Sequence, residues 1–172
     1  MEISIDVSGV VNAMDKLKRA SMRQPMKSSL DRYETAAKFR ARVISGALRD
    51  SIQTEVEDHG EECTGRCYTN TYYAQYVEFG TGPKGAKGDH SELSPQIPLK
   101  YRPTSWYIPI GPGGVTMDVA KRYHWPIVKG RDGALFARCS GAAPHPFMYP
   151  AAKDSEPAVQ KVWDQWARNI LK

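Results

Sequence analysis

Between Pro25 and Ile44 apolar residues return at every third or fourth position: Met26, Leu30, Tyr33, Ala37, Ala41 and Ile44. Lys27, Asp31, Arg32, Glu34, Lys38, Arg40 and Arg42 fall mostly on the opposite side. That period belongs to an α-helix, and a one-sided helix of about 20 residues must cover its stripe with another element. Pro25 suits the first turn, where a missing N–H costs nothing. Gly46 favours ending the helix.

The flanks supply elements to cover that stripe. Residues 2–7 alternate as a short strand, and Ser8 is a candidate cap for a helix to about Met22 with Val10, Val11, Met14 and Leu17 as its stripe. Stretches 51–58 and 62–68 read as strands around a His59-Gly60 turn. A short helix over 71–79 carries Tyr72, Tyr73, Tyr76 and Phe79 and stops at Gly80. Glycines and prolines then punctuate a long loop to Pro103. Residues 106–110 read as a strand that Pro109 confines to a sheet edge. Gly111–Gly114 is a turn, and 123–128 and 134–139 read as strands around a glycine-rich tip at 129–133. The chain closes on a helix with the stripe Val159, Val162, Trp163, Trp166 and Ile170, capped by Ser155, with Pro157 in its first turn and a short turn before it from Pro150.

This order of elements predicts an α+β fold, in which a long N-terminal amphipathic helix and a C-terminal helix pack on an antiparallel sheet. A length of 172 residues suits one domain, 1–172, with a long flexible loop at 82–103 and a β-hairpin excursion at 104–140. No apolar run reaches the ~18 residues of a membrane span. The first residues lack the basic-then-apolar layout of a signal peptide, which predicts a protein kept in the cytoplasm where it is made.

Lys and Arg number 24 against 19 Asp and Glu, a net charge of +5, so anionic partners including DNA are one class to weigh. The basic residues are scattered, however. Three cysteines, Cys63, Cys67 and Cys139, make a poor disulfide framework, and three free thiols is the simpler reading. With His59 they approach a zinc set, but the spacing is irregular and a second close pair is missing. No local signature joins His59, His90, His124 or His145 to a cysteine nucleophile. Glu61 and Glu62 are adjacent, so on a strand they face opposite ways and suit joint acid–base work poorly. The stretch from Gly80 to Gly88 is glycine-rich and basic but lacks the Gly-Lys-Ser/Thr close of a nucleotide loop. The tyrosines at helical spacing suit a core or an interface better than base stacking, and this many aromatics implies a surface buried against another subunit.

Three segments stand out by their order and spacing. The first is Ser45-Gly46-Ala47-Leu48-Arg49-Asp50-Ser51-Ile52. The second is Tyr73-Ala74-Gln75-Tyr76-Val77-Glu78-Phe79-Gly80-Thr81. The third is Pro144-His145-Pro146-Phe147-Met148-Tyr149-Pro150-Ala151. Together they resemble the tail-completion or head–tail joining proteins of long-tailed bacteriophages. Physically, Gly46 lets the chain leave the helix, Leu48 and Ile52 anchor a core, and Arg49 is left to pair. Glu78 sits near a helix end, where the dipole disfavours an acid unless a cation meets it, and Arg49 is its candidate partner. Phe147 plugs a core and Pro150 opens the last helix. Relatives often carry a proline before the first segment. Here Ala41-Arg42-Val43-Ile44 stands in its place, so the helix is expected to run straight into Gly46.

The resemblance implies a structural virion part, not an enzyme, with no cofactor and no metal. It implies subunits that multimerise at the phage neck as a ring, hexameric in the tail, after a monomeric start in the host cytoplasm. Partners would be other copies, the tail tube, the head connector and passing DNA, touched without sequence reading, and no membrane. Tail completion, tail terminator and head-side stopper remain open as roles. Lys84, Lys87, Lys129 and Arg131, in the long loop and the hairpin tip, are the interface candidates. Two alternatives stay beside this reading: a small nucleic-acid-binding module using the basic loops and tyrosines, and a metalloprotein or hydrolase built on His59 and the cysteines.

Overall fold

The computed structural model describes residues 8–41, 46–60 and 62–172; the strand read at 2–7, Ile44, Ser45 and Glu61 lie outside the described residues. Helices and antiparallel strands together make the fold α+β. The chain divides into two compact units, one of residues 1–71 and 147–172 and one of residues 72–146.

In the first unit α1 (Ser8–Arg19) and α2 (Arg23–Arg40) precede a one-turn helix α3 (Ala47–Asp50) and a hairpin of β1 (Ile52–Asp58) and β2 (Cys63–Thr69). The hairpin register runs from Ile52 opposite Thr69 to Asp58 opposite Cys63. The His59 N–H donates to the Glu62 carbonyl at 2.8 Å and closes the turn. A 24-residue helix, α7 of the whole chain (Met148–Leu171), completes the unit. The predicted stripe of α2 lies inward: Leu30 and Ala37 are buried on it, with Ala41 just beyond its end. It covers the hairpin, and Gly65 leaves the room, because a Cβ there would stand 2.6 Å from Met26 Sδ. The other flank of α2 meets α7. Tyr33 donates its hydroxyl to the Met148 carbonyl at 3.0 Å, and Arg40 pairs with Asp154 at 2.7 Å. The C-terminal helix thus joins the layers chiefly through α2. Ile52 and Phe147 are the largest fully buried side chains among the described residues.

Three local expectations need correction here. The helix α2 does not run into the Gly46 segment: Ala41 turns extended at φ −62° and ψ 126° and caps it, its N–H still bonded to Ala37. Ser155 is not a cap, and no short turn stands apart from the last helix. Instead α7 runs unbroken from Met148 with Pro157 inside it. The Ser155 hydroxyl donates back to the Ala151 carbonyl at 2.7 Å. An internal proline normally costs about 3 kcal/mol, and buried Phe147, Pro150 and Ala151 hold the chain upstream of it. Finally, α1 buries none of its residues: Val10, Val11 and Met14 are 62%, 50% and 52% exposed.

The second unit holds α4 (Ala74–Phe79), α5 (Gly82–Ala86), β3 (Trp106–Pro109), α6 (Met117–Arg122), β4 (Ile127–Lys129) and β5 (Leu135–Cys139). Its sheet order is β3–β5–β4, antiparallel throughout, which leaves Pro109 on an edge strand as its missing N–H requires. The first five residues of the expected 82–103 loop are helical. No element follows until β3, but Leu93 is buried and Tyr101 donates its hydroxyl to the Phe79 carbonyl at 2.7 Å. The strand read at 123–128 is displaced. Thr116 caps α6 by accepting from the Val119 N–H, Tyr123 ends that helix, His124 turns to φ 52°, and β4 begins only at Ile127.

Candidate functional site

The first motif acts locally. Gly46 sits at φ 83° before α3, and Leu48 and Ile52 are buried as expected of core anchors. Ser51 organises the junction. Its hydroxyl donates to the Leu48 carbonyl at 2.7 Å and lies 2.6 Å from Thr69 Oγ1 and 2.7 Å from Thr71 Oγ1. A serine has one proton, and that proton is committed to Leu48, so Ser51 accepts from both threonines. This pins the start of β1 to the end of β2. Arg49 is exposed and meets its neighbour Asp50 at 3.2 Å.

The second and third motifs meet inside the second unit. Thr81 and Ala142 form an antiparallel bridge: the Thr81 N–H donates to the Ala142 carbonyl at 2.9 Å, and the Ala142 N–H returns to Thr81 at 3.2 Å. One step on, the His145 N–H donates to the Val77 carbonyl at 2.8 Å, which serves the C-terminal end of α4. Gly80 lies between, at φ 73° and ψ 177°, a conformation open essentially to glycine alone. A Cβ there would stand 2.7 Å from Pro144 N and 2.8 Å from Ala142 O. Ala74 and Glu78 are buried on α4, Glu78 to 5% exposure, while Phe79 is half-buried. Of the third motif's remaining residues, Phe147, Pro150 and Ala151 are buried in the first unit, and Pro146 is half-buried.

This bridge places α5 beside the end of β5. The Lys84 N–H donates to the Ser140 carbonyl at 3.0 Å, and Ser105 and Ser140 share a hydroxyl bond of 2.8 Å. Between them opens a groove of about 820 Å³ lined by Lys84, Lys87 and Arg138 among others. Lys84 and Lys87 are thus brought together. Lys129 and Arg131, exposed near the β4–β5 tip, are not among the lining residues. Arg138 and its cross-strand neighbour Tyr107 escaped the sequence reading. The alternation along β5, buried Ala137 and Cys139 around exposed Arg138, was a usable signal, but the pairing with Tyr107 was not. A second groove, of about 560 Å³, is of another kind: Phe79, Leu99 and Trp106 line it, and Arg102 stacks over the Trp106 ring at 5.4 Å.

Titration is perturbed at few places. Burial, then the Glu34 charge, pushes the half-buried Cys67 thiol up to about 11, and burial raises Cys63. The Lys38 ammonium holds the Glu34 carboxyl below its usual range, helped by the Thr54 hydroxyl at 3.0 Å. Cys63, Cys67 and Cys139 are free thiols, and no group of three or more His, Cys, Asp or Glu gathers as a metal site among the described residues. No described helix is long and apolar enough to cross a membrane.

No curated protein and no solved structure matches the chain at a significant level. Residues 10–80, which hold α2, the Gly46 motif, the hairpin and α4 as far as Gly80, match the family model described as "Bacteriophage HK97-gp10, putative tail-component", and over that stretch the chain is similar to the tail components of bacteriophages.

Proposed function

We propose that this chain is a structural part of a phage particle that multimerises, as a ring, at the head–tail interface and completes the tail or joins it to the head connector. The observation that carries the reading is the uncovered stripe of α1, Val10, Val11 and Met14, on a stretch similar to tail components. Contiguous apolar surface of this kind marks a protein–protein contact. Phe39, 89% exposed on α2, is a further large apolar side chain without cover. The partners are other copies of the chain, the tail tube and the head connector. The role is assembly in the host cytoplasm and then residence in the virion, with no catalytic step and no cofactor.

Size-exclusion chromatography with light scattering over a concentration series, alone and with tail-tube or connector protein, tests this. A discrete ring or a complex at the tube end is the expected result. The double substitution Val10→Asp with Met14→Asp should abolish it while leaving the fold intact, since both side chains face solvent in the single chain. A strict monomer that ignores both partners would overturn the proposal.

A further inference from the structure

We propose that the groove between α5 and the β3–β5 ladder binds the phosphodiester backbone of a nucleic acid. Three exposed cations, Lys84, Lys87 and Arg138, line it, and no carboxylate does. None of the three forms an ion pair among the described residues. Like charges left unneutralised along one concavity repel each other, and a polyanion relieves that repulsion. Ser105 and Ser140 bond to each other through one hydroxyl proton, which leaves the groove one serine proton and the exposed phenol of Tyr107 as donors of the kind that meet phosphate oxygens.

The backbone that carries the cations is tied down by hydrogen bonds, while the charged ends themselves stay free to meet a ligand. The Thr81–Ala142 bridge and the Lys84 N–H bond to Ser140 fix α5 against the end of β5, where Arg138 sits opposite Tyr107. The charge is local to this unit. Residues 72–146 carry nine Lys and Arg against five Asp and Glu, whereas the rest of the chain carries fifteen against fourteen. An acidic protein segment is the weaker fit. Protein interfaces rest on a clustered, desolvated set of large anchors, chiefly Trp, Tyr and Arg; here Tyr107 stands 58% exposed and no Leu, Ile, Val, Met, Phe or Trp lines the groove beside it, in contrast to the neighbouring groove with Phe79, Leu99 and Trp106. The contact is to backbone and reads no sequence. It stands apart from the assembly proposal, because it concerns the free chain.

The test is fluorescence anisotropy of the full chain with a short labelled duplex of arbitrary sequence, and with a matching single strand, across a salt series. Each phosphate neutralised on a duplex contributes about −0.9 to the slope of log affinity against log salt. The triple variant Lys84→Ser, Lys87→Ser, Arg138→Ser should therefore flatten that slope by about 2.7 on duplex and lose at least about tenfold in affinity at low salt. Arg138→Lys should keep the slope. A variant with the same charge loss on the first unit, Lys16→Ser, Lys18→Ser, Lys161→Ser, should stay close to the parent. Whichever strand form binds more tightly identifies the source of the phosphates. Equal losses in the two triple variants would reduce the effect to net charge and overturn the proposal. So would polyglutamate competing as well as nucleic acid, or no binding to either probe.

Discussion

The two units are held together by different physics. In the first, long side chains fill a core: Leu30, Leu48, Ile52 and Phe147 are buried beneath α2, α7 and the hairpin. In the second, the buried apolar residues are mostly small, Ala74, Ala120, Ala137 and Cys139 with Leu93. There the order comes from close backbone approach and hydrogen bonds around Gly80, Thr81 and Ala142. The charge divides the same way, with the first unit near balance and the second basic. A unit built on side-chain burial can spend its surface on neutral or apolar contact. A unit built on backbone junctions keeps its long side chains free for solvent and ligands.

Two substitutions should separate these modes. Phe147→Ala removes the largest buried ring and leaves a cavity, at a cost of about 3–5 kcal/mol by chemical denaturation. It should act on amides of α2, α7 and the hairpin first; equal loss across the second unit would break the contrast. Gly80→Ala works the other way. It forces a side chain into a glycine-only conformation costing about 1–3 kcal/mol and against Pro144 as well. Hydrogen exchange should then quicken at the amides of Thr81, Ala142 and His145, with α2 and α7 unchanged. An unaltered exchange pattern would mean the junction is not what orders the second unit.

Smaller effects sharpen the picture of the first unit. With its thiol raised to about 11, Cys67 should react with an alkylating reagent near pH 8 about 100-fold more slowly than an ordinary cysteine. Mass spectrometry of timed samples would show fast labelling there if β2 were not covered by α2. Glu34 is lowered, so its stabilising effect is present above the unfolded pKa and is lost as pH falls through the folded one. Glu34→Gln should therefore flatten the acid limb of the stability profile below about pH 5, by about 1 kcal/mol at most for an ion pair partly open to solvent. An unchanged acid limb would place the Glu34 contacts with Lys38 and Thr54 among those worth nothing measurable.

How much of this was legible depends on range. The stripe Met26, Leu30, Tyr33, Ala37 announced α2, and the hairpin around His59-Gly60 followed from alternation, because both signals repeat within a few residues. The cap of α6 was legible in principle, since Thr116 reaches only as far as Val119, yet it was missed. Pro157 misled for a physical reason: local propensity argues for a helix start, but buried anchors at Phe147 and Ala151 begin the helix earlier. The candidate site divides likewise. Lys84 and Lys87 could be named from a basic, glycine-rich run, whereas Arg138 stands 51 positions beyond Lys87 and joins them only through strand pairing and the Thr81–Ala142 bridge.

By itself, then, the sequence determined the periodic elements, the glycines that permit their turns, and the three motifs, of which the first and nearly all of the second lie on the stretch similar to phage tail components, because each is encoded by neighbours in the chain. Only the tertiary structure decided that the stripe of α1 stays uncovered, that the second and third motifs close on one another at Gly80, and that three scattered cations share one groove free of carboxylates. Burial and shared surface depend on which distant segments meet. That is set by the packing of the whole chain, and no local period records it.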